Sequence, residues 1–171
     1  MSPAAQPLLR IAVGVVVERR KAESPWIDVV WRGTSVLPDE PEMAPWTVIR
    51  EQEGTTLFYA GSATVDLYRS ETPRYRDNLA TGAPCLWIVL TPSEGAWPYA
   101  VAAVTADPAE GEAFTEAGDN LVEAVPMPEV LREAIENFIT EHHVETEFVK
   151  RERRRADPEA LARRHHKGGH E

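Results

Sequence analysis

The residues best suited to chemistry lie in one stretch, ITEHHVETEFVKRERRR, residues 139–155. His142 and His143 are adjacent, and Glu145 follows two residues after the second. Imidazole and carboxylate are ligands for zinc, so His142, His143 and Glu145 are the candidate metal set. A zinc site needs three or four converging ligands, and neighbouring histidines on a helix diverge. No cysteine and no third histidine stands nearby to complete the set. The competing reading is the last turn of a packed helix, where an imidazolium suits the negative end of the helix dipole. Leu131, Ala134, Ile135, Phe138 and His142 recur at three- and four-residue steps, which predicts an apolar stripe. On that helix His142 is expected to be partly buried and His143, about a hundred degrees away, to face solvent.

A second group, Tyr68, Arg69, Glu71, Arg74, Tyr75, Arg76, Asp77 and Asn78, is the densest polar cluster before the tail. Arg69, Arg74 and Arg76 near a helix start could hold an anionic cofactor, and a surface ion-pair network is the plainer alternative. Trp26, Trp31 and Trp46 could form a ligand platform, although tryptophan beside proline more often closes a small sheet.

The rest of the chain excludes much. All five histidines fall at or beyond position 142, so a histidine base or His-ligated zinc is missing from residues 1–141. The single cysteine, Cys85, cannot form an intrachain disulfide or a redox pair. It sits in the apolar run CLWIVL and reads as a buried thiol, in keeping with a cytoplasmic setting. Neither GxGxxG nor GxxxxGK[ST] occurs, so the common phosphate loops are missing. No resident cofactor is implied by these residues. The early run IAVGVVV follows Arg10 and is halted by Glu18 and Arg19, which suits a buried strand better than a signal peptide.

Charge divides the chain. Residues 1–149 carry 10 basic and 24 acidic side chains, and residues 150–171 carry 8 and 4. An acidic body repels nucleic acid and anionic membranes, so the expected partner is a protein. Lys150, Arg151, Arg153, Arg154 and Arg155 are the candidate contacts, because arginine pairs carboxylates bidentately.

The elements that must position these groups are mostly strands. LLRIAVGVVVER reads as a central strand, and WIDVVWRGTSVL as a half-solvated one with Ile27, Val29 and Trp31 inward. WTVIRE and TTLFYAG flank a turn at Gly54, and SATVDLYRSE alternates again. Thr72-Pro73 and Asp107-Pro108 each open a helix, and Pro128 opens the longest one. The expected fold is a single α+β domain over 1–149, with a mostly antiparallel sheet, helices on one side and a long C-terminal helix. Residues 150–171 read as a basic, partly helical or disordered tail.

Taken together, "VGVVVERRKAESPWIDVVWR", "PWT", "YRSETPRYRDNL", "VPMP" and "HHVETEFVKRERRR" resemble a family of small acidic proteobacterial proteins of uncharacterised activity. The resemblance covers about residues 10–155. Genes of that family lie beside formate dehydrogenase subunits and molybdoenzyme accessory factors, and some members are labelled molybdopterin-guanine dinucleotide biosynthesis protein A. The first strand here runs into VVVERRKAESPW, without the glycine-rich loop and lysine of those nucleotidyltransferases. The resemblance therefore implies a non-enzymatic accessory or assembly role near a formate dehydrogenase-type molybdoenzyme, through protein–protein contact. A protein or enzyme that handles a molybdopterin-like anion is the alternative.

Overall fold

The computed structural model describes residues 6–143. In chain order the elements are β1 (Leu9–Lys21), β2 (Val29–Leu37), β3 (Thr47–Gln52) and β4 (Thr55–Leu67). A 3₁₀ turn (Arg69–Glu71) leads into α1 (Thr72–Ala80). Then come β5 (Cys85–Pro92), β6 (Tyr99–Thr105), α2 (Pro108–Glu116), β7 (Leu121–Pro126) and α3 (Glu129–His142).

The strands form two antiparallel sheets, ordered β2-β1-β4-β3 and β6-β5-β7. β6 lies against β4 and β7 against β2, without a ladder between them. They enclose one core, built from Val13, Val15 and Val17 of β1, Val65 and Leu67 of β4, and Leu86, Ile88 and Leu90 of β5. These positions alternate along each strand, as the two-residue repeat of a strand requires. Gly33 lets the two sheets approach closely, since a Cβ there would stand 2.9 Å from Ile88 Cγ2.

Each end of this core is closed differently. Tyr75 of α1 and Leu131, Ile135 and Phe138 of α3 cover one end. At the other, Trp31, Trp46, Phe58 and Trp97 form an aromatic cluster, with Trp46 stacked on Trp97 at 5.1 Å between centroids. The Arg19 guanidinium lies 5.1 Å from the Phe58 ring centroid and 5.7 Å from that of Trp31. Trp46 has φ 68°, unique among the described non-glycine residues. Its N–H donates to the Tyr59 carbonyl at 2.5 Å, which helps hold a conformation that bulky residues rarely adopt.

This corrects the expected architecture. The strands divide into two sheets, not one, and the helices do not share a side. α2 packs on the outer face of the second sheet, where Gly111 leaves room for Trp87, whereas α1 and α3 close the core's end. Alternation along a strand reveals which residues point inward, but not which strands share a ladder. The C-terminal helix is also short, 14 residues, because it stops where His143 turns back onto α1. Moreover, β2 begins at Val29, so Ile27 precedes the strand and both Ile27 and Val29 are exposed, while Trp31 packs in the aromatic cluster. The expected tail, 150–171, lies outside the described residues.

Candidate functional site

The polar residues gather around α1. Pro73 fits the first turn, where a missing N–H costs nothing. Further along, Asn78 is buried and hydrogen-bonded through both amide atoms. Its Nδ2 donates to the carbonyls of Cys85 (2.8 Å) and Ala106 (3.1 Å), and its Oδ1 accepts from Cys85 N (3.0 Å). One amide thereby ties α1 to β5 and to the β6–α2 junction. Cys85 itself is half-buried at the start of β5, its Sγ 3.4 Å from the Ala83 carbonyl.

Asp107 joins α1 to α2. Its carboxylate accepts from Ala109 N (2.9 Å) and so caps α2. It also accepts from Arg74 Nε at 2.8 and 2.9 Å. Arg74 Nη2 pairs in turn with Glu71. These residues border a cleft of about 450 Å³ that Tyr68, Ser70 and Glu110 also line. Three carboxylates and one guanidinium thus line the cleft, a balance that favours cations over anions. The buried Tyr75 hydroxyl accepts from Tyr68 N (3.0 Å), and burial pushes its pKa up to about 12.

On the opposite side of α1 lies His143. Thr72 Oγ1 donates to the Arg69 carbonyl (3.1 Å), which leaves it to accept from His143 Nδ1 (3.1 Å). Arg76 Nη1, which can only donate, stands 3.1 Å from Nε2. One assignment satisfies all three contacts: a neutral imidazole protonated on Nδ1. His143 is therefore buried, contrary to its expected solvent-facing position, because the C-cap turn aims it at Thr72. His142 is partly buried and packs on Phe138 at 4.5 Å between ring centroids.

The candidate residues are thus dispersed. Arg74 faces Asp107 and Glu71, Arg76 faces His143, and Arg69 lies in the 3₁₀ turn. No group of three or more His, Cys, Asp or Glu that could hold a metal occurs among the described residues. Glu145, Lys150, Arg151, Arg153, Arg154 and Arg155 lie outside the described residues. Of the proposed tryptophan platform, Trp31 and Trp46 meet edge to face while Trp26 stands apart at 90% exposure. Asp107, which helps organise the site, was legible only as a helix cap, and Asn78 only as a member of the polar cluster. Nothing in their neighbours' spacing announces a partner 33 or 28 residues away.

The fold defines a β-rich domain of two antiparallel sheets with three short helices. The chain belongs to the family described as a protein of unknown function (DUF3305), whose family model matches residues 12–153. No curated protein and no solved structure matches it. No helix among the described residues is long and apolar enough to cross a membrane.

Proposed function

We propose that this protein is a non-enzymatic accessory or assembly factor for a formate dehydrogenase-type molybdoenzyme, acting through protein–protein contact. The observation that carries the contact is β3. All six of its residues are exposed; Val48 and Ile49 leave about half of their surface in water, and Met43, between β2 and β3, is exposed too. Exposed apolar side chains in a cluster mark interaction surfaces more often than isolated ones do. The basic segment 150–155 supplies arginines for carboxylates on the partner. The molybdoenzyme half of the reading rests on the resemblance and its gene neighbourhood.

The cofactor-handling alternative needs an anion near Arg69, Arg74 and Arg76. The carboxylates already on Arg74, and Glu110 beside them, weigh against it.

The test is co-purification of the tagged full chain from its native host. A formate dehydrogenase subunit or accessory factor in the eluate is expected, with capture reduced by Ile49→Glu. Changing Arg151, Arg153, Arg154 and Arg155 to glutamine should weaken capture and flatten its salt dependence, since exposed charges are screened beyond about 8 Å at physiological ionic strength. Capture of no such protein overturns the reading.

A further inference from the structure

We propose that β2 pairs edge to edge with β2 of a second copy of this chain, antiparallel about a two-fold axis at Val30. The inference goes beyond the proposed function and uses the edge of the first sheet opposite β3.

An edge strand leaves a row of backbone donors and acceptors ready to pair with another chain. β2 is laddered to β1 alone, and although β7 lies against it, Val29, Val30 and Arg32 are exposed whereas Gly33 to Leu37 are buried or half-buried. From position 29 to 33 its register with β1 is unbroken, Val29 opposite Lys21 through Gly33 opposite Val17. The other edge of the sheet, β3, is bulged between Val48 and Arg50, and a bulge interrupts pairing. Positions 29–31 read Val-Val-Trp, with neither the charge nor the proline that commonly guards an edge. Apolar surface is left in water here as well: Trp26 is 90% exposed, and Ile27, Val29 and Val30 are exposed beside it.

The sequence of this edge complements itself. With the axis on Val30, Val29 of one copy stands opposite Trp31 of the other, and Asp28 opposite Arg32, twice over by symmetry. Opposed residues on antiparallel strands share a face, and opposite charges there attract. The Asp28 carboxylate has no ion-pair partner within the described residues, while Arg32 is half-exposed with Glu18 at 4.0 Å. Shifting the axis to Trp31 would set Asp28 against Thr34 and Arg32 against Val30, which loses both pairs. Such a contact is isologous, closes on two copies and joins two four-stranded sheets into one.

The experiment is sedimentation equilibrium on the full chain across a wide concentration range, with thermal midpoints to show that each variant is folded. A reversible dimer is expected. Asp28→Arg sets like charges opposite each other and should weaken it about ten-fold. The double variant Asp28→Arg/Arg32→Asp swaps the pair and should restore it. Deuterium exchange should slow at the amides of residues 29–31 as the dimer forms. A monomer at every concentration overturns the proposal. So does a dimer indifferent to Asp28→Arg, one that the double variant does not rescue, or protection that falls elsewhere. Failure here leaves the proposed function standing, because co-purification through β3 is read separately.

Discussion

Asn78 and Cys85 pair as two strand residues would, although one partner is a helix side chain. The Asn78 amide gives Nδ2–H to the Cys85 carbonyl and takes the Cys85 N–H on Oδ1. It occupies the place beside β5 where a strand neighbour is missing. Asn78→Ala leaves Cys85 N and two carbonyls without their partner. The variant should lose about 2–3 kcal/mol in urea unfolding, given roughly 1–3 kcal/mol for each unsatisfied buried group. A loss below half a kcal/mol would mean that the clamp is ornamental.

The His143 tautomer is a second prediction. Its ring should carry hydrogen on Nδ1 and accept on Nε2, which ¹⁵N shifts in a long-range imidazole spectrum distinguish directly. Thr72→Val removes the acceptor of the Nδ1–H bond and should cost about 1–2 kcal/mol. An Nε2–H signal in the wild-type protein would reverse the assignment.

Tyr75 gives the protein an alkaline limit. Its folded pKa, raised by burial to about 12, exceeds the ordinary value of 10.0. Between these values the unfolded chain releases the proton and the folded chain retains it. Stability therefore falls as pH rises from 10 to 12, by about 1.4 kcal/mol per pH unit from this group. Tyr75→Phe should lose the hydrogen bond to Tyr68 at neutral pH yet flatten the alkaline slope. Equal slopes in the two proteins would remove Tyr75 from the account.

Two tryptophans should behave oppositely. Trp31→Ala empties a site bordered by Trp46, Phe58, Trp97 and Arg19, and should cost about 3 kcal/mol. Trp26→Ala, in dilute solution, should change stability by no more than about 0.5 kcal/mol. Similar losses at both positions would contradict the burial described for them.

Much of the local structure was legible. Asp107-Pro108 announced α2 because a capping carboxylate followed by proline is a local device, and Asp107 accepts from Ala109 N as such a cap does. Gly54, at φ 75°, marked the turn between β3 and β4. What sequence could not supply was pairing across distance. β1 finds β4 through a register that sets Gly14 against Ser62, and no local pattern encodes that choice over a single sheet. Periodicity also misplaced Ile27 and Val29, since inward alternation continues past the point where the core ends. His143 was misjudged for a related reason: helix geometry fixes its angle, but its burial depends on α1 packing alongside.

Asp107 holds the N-terminus of α2 and the guanidinium of α1 with one carboxylate. Fraying at α2 and loosening of α1 are consequently not separate events. Either motion strips a partner from a group that is only 4% exposed, so the cleft beside them opens as one cooperative unit. Native-state exchange should register the first turn of α2 and the first turn of α1 with a common opening free energy, despite the β-hairpin between them in the chain.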